Sequence, residues 1–196
     1  MLNFSKINII LIYLVFILIS FFSTLNLQNE DNLIIKKIEN TEINYLKSNK
    51  IWQIPVCYDI KYAVDLENLA NDIQLSPSEI IDIHKSKVYD VLSMGFLPGF
   101  MYLGFTHEHL HCERKHTPSL DIKKGSIGVA LNQTCIYPQD SPGGWHIIGI
   151  SPIDFFDLGS KTPCFAKPGD KIKFIEISSK QYQKMKKENS LKPVSK

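Results

Sequence analysis

Apolar residues fill positions 9–22 almost without interruption, and a polar stretch with helical character follows at 29–47. The run is about 14 residues long, short of the roughly 20 that a spanning helix needs. It is rich in Ile, Val, Phe and Tyr, which suit a buried strand as well as they suit lipid. One charge, Lys6, precedes it, and Ser23-Thr24-Leu25-Asn26 is a poor signal-peptide cleavage site. The pattern leaves strands and a membrane segment both open. Further on, Trp52, Ile54, Val56 and Tyr58 alternate with Gln53, Pro55 and Cys57, the two-residue period of a half-buried strand. Residues 65–73 predict a short helix. Ser76-Pro77-Ser78-Glu79 combines a serine N-cap, a first-turn proline and a glutamate three residues after the cap. A second helix is expected from there to about Lys87, carrying His84.

From Tyr89 the chain breaks into short apolar stretches separated by Pro98-Gly99, Gly125-Ser126, Pro142-Gly143-Gly144 and Pro168-Gly169-Asp170. Residues 127–131, 145–150 and 171–177 read as strands. This texture predicts a mainly β unit, and a small barrel would close it without exposed edges. Residues 179–196 are lysine-rich and poor in apolar side chains, so they read as a basic flexible tail.

Composition narrows the function. With 196 residues the chain can bury a real core, and its net charge of +2 offers no global case for nucleic acid. Cys57, Cys112, Cys135 and Cys164 form no Cys-x-x-Cys pair, so free thiols in a reducing compartment account for them. The expected location is cytoplasmic, the alternative being an anchor through residues 7–22.

His107-Glu108-His109-Leu110-His111 matches His-Glu-x-x-His, but zinc chemistry needs a helix that sets both histidines on one face. The segment lies between Gly104 and Pro118 without helical periodicity, so it reads as a surface loop and no metal is expected. No Gly-x-Gly-x-x-Gly, phosphate-binding Gly-Lys-Ser/Thr or Gly-x-Ser-x-Gly motif occurs. His84 reads as an acid–base or as a hydrogen-bonded structural histidine. There remains a cluster of glycine, proline and aromatic residues running from Gly95 to Gly104 and from Gln133 to Trp145. It fits a shallow pocket for a small amide-like ligand, and it fits tight barrel corners equally well.

The succession Ile54-Pro55-Val56-Cys57-Tyr58, His84, Tyr89-Asp90-Val91, Gly95-Phe96-x-Pro98-Gly99-Phe100-x-Tyr102-Leu103-Gly104, Arg114, Thr117-Pro118, Gly125-Ser126-Ile127, Gln133-Thr134-x-Ile136-Tyr137-Pro138, Ser141-Pro142-Gly143-Gly144-Trp145 and Pro168-Gly169-Asp170 carries a resemblance. It resembles the family that holds the B-type subunit of bacterial 5-oxoprolinase, the first subunit of allophanate hydrolase, the C–D part of the urea carboxylase carboxyltransferase domain and the sporulation-kinase inhibitor. The resemblance runs in unbroken order from about Trp52 to Ile177. It implies a cyclophilin-like β-barrel with short helices over residues 50–178, preceded by a shortened α/β segment over 1–49. The apolar run then takes the register of a family strand pair, which favours strands over an anchor.

The activity implied is ATP-dependent opening of 5-oxo-L-proline to L-glutamate, shared with the C-type and A-type subunits of 5-oxoprolinase. The chain itself would bind no cofactor and would be inactive alone. On this resemblance His84, Arg114 and Gln133 are the candidate catalytic residues, with His146 second to His84 for proton transfer. Phe96, Pro98, Gly99, Tyr102, Tyr137, Pro142, Gly143, Gly144 and Trp145 are the candidate substrate-binding residues. Ser119 and Ile150 stand where the family pattern has arginine, and Phe105, Leu131 and Cys135 where it has glycine. Losing two guanidinium groups removes bidentate donors suited to a carboxylate, so a weakened subunit is expected. Two other functions compete: a non-catalytic regulator of a histidine kinase, and the carboxyltransferase part of a urea carboxylase or allophanate hydrolase-like system.

Overall fold

The computed structural model describes residues 50–188 and 191–195. The apolar run, the expected helix at 29–47 and the N-terminal segment 1–49 lie outside the described residues.

The described chain runs β1 (Ile51–Val56), α1 (Leu66–Asp72), α2 (Pro77–Ser86), β2 (Val88–Met94), β3 (Met101–Gly104), β4 (Ser119–Ile122), β5 (Ser126–Ala130), β6 (Gln133–Ile136), β7 (Ser141–Gly143), β8 (His146–Ile150), β9 (Lys171–Glu176), α3 (Ser179–Lys186) and β10 (Val194–Ser195). Eight strands form one sheet in the order β10–β1–β9–β2–β3–β6–β5–β8, and β4 pairs with β7 in a separate ribbon. The β1–β9 pair is parallel, the other neighbours antiparallel. The far strand β8 returns to the chain just past β1, where Cys57 and Ile150 exchange backbone hydrogen bonds of 2.8 and 3.0 Å. This mainly β, barrel-like sheet is therefore drawn together at its seam by one bridge rather than by a continuous ladder.

Alternation sorts the side chains. Ile54 and Val56 of β1, Met101 and Leu103 of β3, Ile127 and Val129 of β5, and Phe174 of β9 enter one buried cluster. The first two helices cover it with Leu66 and Leu69 from α1 and Ile80 from α2. The start of α2 follows the sequence signal, since Ser76 and Glu79 form a reciprocal capping box with Pro77 in the first turn. At its other end the Lys173 ammonium donates to the carbonyls of Lys85 and Ser86, at 2.6 and 2.9 Å. These bonds satisfy acceptors that the last helical turn leaves over.

The Pro98-Gly99 signal is a tight turn between β2 and β3. Phe100 N–H donates to Leu97 O at 3.0 Å. Gly99 takes φ +84, the left-handed conformation that the third position of a type II turn demands.

The described part of 179–196, residues 179–188 and 191–195, does not form the flexible basic tail expected from composition. Ser178 and Gln181 form a second capping box at the start of α3. Tyr182 of that helix is buried with Cys57 and Ile150, its ring 4.7 Å from Tyr62. Val194 and Ser195 then add β10 to the edge of β1. Lysine content hid this, because one buried ring and one cap organise a helix whose other faces stay charged and exposed.

Candidate functional site

Strands β3, β6, β5 and β8 bury both faces. Tyr102, Ala130, Cys135 and Ile147 alternate with the inner residues and point the opposite way, where they join Phe100, Ile122, Tyr137 and Trp145 in a second cluster. At its edge opens a cleft of about 160 Å³ lined by Phe96, Phe100, Tyr102, Arg114, Tyr137, Gly143, Gly144 and Trp145. Phe100 is the hub of its floor, with ring centroids 4.8 Å from Tyr102, 4.9 Å from Tyr137 and 6.4 Å from Trp145. The Arg114 guanidinium lies 5.8 Å from the Trp145 ring centroid, within cation–π range.

Backbone geometry builds the walls. A Cβ at Gly143 would collide with the Tyr137 hydroxyl and with Ile122, so β7 crosses closely over that hydroxyl and buries it. Burial pushes the Tyr137 phenol well above its ordinary range, and it stays protonated at neutral pH. At the rim, Phe96 adopts φ +69 and is 63 % exposed. A bulky residue in the left-handed region is an outlier of the kind that gathers at ligand sites. Its ring stands edge-on to Phe100 at 5.5 Å.

The segment carrying Arg114 is pinned on both sides. Lys115 N–H donates to Gly144 O at 2.8 Å. The His146 Nε2–H donates to Glu113 O at 3.0 Å. The Lys115 ammonium pairs with Asp65 at 2.7 Å and donates to Ser119 Oγ at 2.6 Å. Asp65 also accepts the Ile147 N–H at 2.8 Å, tying this segment to β8. Arg114 therefore has a fixed backbone and a side chain left for the cleft. His146, a secondary candidate for proton transfer, serves here as a clamp.

The other candidates fall as follows. Phe96, Tyr102, Arg114, Tyr137, Gly143, Gly144 and Trp145 meet at the cleft. Pro98 and Gly99 shape the turn beneath Phe96 and Phe100, and Pro142 lies exposed in β7. Gln133 opens β6 on the face of Cys135 but lies outside the lining. His84 is not brought to the cleft at all: it is fully buried in the inner core. Thr134 Oγ1–H donates to Gly128 O at 2.9 Å, so Thr134 can only accept from His84 Nε2–H, also at 2.9 Å. His84 Nδ1 then accepts the Tyr58 hydroxyl at 2.8 Å. Burial lowers the histidine to about 3, and the ring is neutral, stacked 4.7 Å from Phe174. As placed, it is a cross-link between α2 and β6 rather than a group that can meet a ligand.

The His-Glu-x-x-His match falls on one 3₁₀ turn, Glu108–Leu110, with Leu110 buried and His107 capping. Without an α-helix its histidines do not stack one turn apart. Neither position that departs from the family arginines lines the cleft. Ser119 meets the Lys115 ammonium, and Ile150 packs on Tyr182. Leu131, at an expected glycine, takes φ +54 in the turn between β5 and β6. No sequence pattern signals the Asp65–Lys115 pair, since its members lie 50 positions apart and neither belongs to a local motif.

Fold and cleft together define a barrel-like domain with an outward-facing aromatic cleft that carries one guanidinium among the described residues. The family model for the carboxyltransferase domain, subdomain C and D, matches residues 14–166, and the chain belongs to that family. It is 41 % identical over 147 residues to the B-type subunit of 5-oxoprolinase from Bacillus subtilis (strain 168), covering 75 % of this chain and 61 % of that protein. The same-named protein of Escherichia coli O157:H7 is 34 % identical over 158 residues, covering 78 % and 72 % respectively. The crystal structure of a conserved uncharacterized protein from Pyrococcus horikoshii matches with a TM-score of 0.66 at 38 % identity, over 79 % of this chain and 71 % of that one.

Proposed function

We propose that this chain is the B-type subunit of a 5-oxoprolinase complex that opens 5-oxo-L-proline to L-glutamate, driven by ATP hydrolysis. The cleft carries this reading. Its walls are aromatic, its one charged lining residue among the described residues is Arg114, and the relatives at 34–41 % identity bear that enzyme's name, whereas those named urea amidolyase stand at 24–27 %. The substrate is a small, nearly flat lactam with one carboxylate. Aromatic faces accept the ring, and a guanidinium pairs with the carboxylate. Ring opening breaks the amide C–N bond, with the water hydroxyl going to the carbonyl carbon and a proton to the nitrogen.

This chain contributes binding and orientation. With His84 sealed away, the proton-transfer groups come from a C-type partner facing the cleft, and the nucleotide step from an A-type partner. The absence of a phosphate-binding motif from this sequence fits that division. Free cysteines and the need for ATP fit a cytoplasmic complex. Purified chain is expected to be inactive alone, with 5-oxoproline-dependent ATP hydrolysis appearing once both partners are added. A fully assembled complex without that turnover overturns the reading. Recovery of a histidine kinase instead of C- and A-type partners in a pull-down favours the regulator.

A further inference from the structure

Of the 22 Lys and Arg residues in the chain a single one is arginine, Arg114. Elsewhere the chain meets its need for cations with lysine, and every ion pair among the described residues uses lysine. The guanidinium occurs where a cation lines the cleft. Among the described residues no Asp or Glu lines that cleft, and the adjacent Lys115 is already neutralised by Asp65. Arg114 thus brings an uncompensated positive charge to aromatic walls. The guanidinium carbon lies 5.8 Å from the Trp145 centroid, and the side chain makes no ion pair among the described residues, so its N–H groups are left for a ligand. A guanidinium edge matches the two oxygens of a carboxylate, which a lysine ammonium meets only as a point charge.

We infer that Arg114 is the specificity determinant of this cleft. It selects small flat rings that carry a carboxylate and rejects neutral rings of the same shape. The inference rests on the cleft being the ligand site proposed above and names what its ligand must carry.

The test titrates the full chain, alone and with its partner subunits, against two acid–neutral pairs: 5-oxoproline with 2-pyrrolidinone, and pyrrole-2-carboxylate with pyrrole. Wild type is expected to bind each acid at least about tenfold more tightly than its neutral counterpart. R114K should lose about tenfold and R114Q about ten- to a hundredfold for the acids. Both should leave the neutral rings within about twofold, and the exposed site should leave the unfolding midpoint nearly unchanged. Equal binding of acids and neutral rings, no binding of either, or acid binding unchanged in R114Q overturns the inference. Arg114-dependent binding of pyrrole-2-carboxylate, with no 5-oxoproline turnover in the assembled complex, upholds it while the enzymatic reading fails. Turnover by an R114Q complex at unchanged KM does the reverse.

Discussion

His84 and Arg114 are both polar groups set among aromatic rings, and they have opposite fates. His84 has both ring nitrogens paired, is fully buried and is held neutral by its surroundings. Arg114 is exposed, lies within cation–π range of Trp145 and makes no ion pair among the described residues. A strongly shifted titration is often a marker of a functional site, yet here it belongs to the closed network. A satisfied buried network specifies one packing and leaves nothing to offer a ligand. What marks the cleft is an unneutralised charge with space in front of it.

Removing the inner network is the harshest way to test this contrast. His84→Ala leaves Tyr58 without its acceptor and opens a cavity against Phe174, so it should cost about 3 kcal/mol or more in urea denaturation. A change below about 0.5 kcal/mol, the scale of ordinary surface substitutions, would contradict the structural role.

Acid probes the same group without a mutation. The folded histidine is depressed to about 3 from an unfolded value of 6.5. Between those values the unfolded chain holds a proton that the folded chain does not, so stability falls as pH falls through this window. This one group accounts for about 1.4 kcal/mol per pH unit, or about 2 kcal/mol from pH 6.5 to 5. His84→Gln should flatten that slope in pH-dependent denaturation; an unaltered slope would mean the ring titrates normally.

At the cleft, Gly143→Ala forces a methyl against the Tyr137 hydroxyl and Ile122. The overpacking should cost about 1–3 kcal/mol and weaken ligand binding, read by thermal melts and titration. The mildest effect is a gain. Leu131 is 46 % exposed and held at φ +54. Leu131→Gly should therefore raise stability by about 1 kcal/mol and leave the cleft unaffected. A loss of stability there would mean that the leucine packs more than its exposure implies.

Much of the fold was written in short-range signals. The Ser76–Glu79 cap, the alternation at Ile54 and Val56, and the Pro98-Gly99 turn each involve residues within a few positions. The α3 cap, Ser178 with Gln181, is equally local, but it was lost in the average charge of its surroundings. The cleft was half visible: its glycines and aromatic residues stood out, whereas the clamp behind Arg114 did not. His84 looked as eligible for chemistry as for structure, because Tyr58 and Thr134 lie 26 and 50 positions away.

By itself, then, the sequence determined the first two helices, the second through its Ser76–Glu79 cap, together with the mainly β texture, the turns and the stock of aromatic residues and glycines around Trp145. Those features follow from dihedral limits and from periods of two and 3.6, which a few neighbouring residues express. The tertiary structure alone decided which histidine was sealed, that the cation at the cleft makes no ion pair among the described residues, and that the helix Ser179–Lys186 packs on the core. Burial and charge neutralisation are properties of groups distant in sequence and adjacent in space, and no local pattern records them.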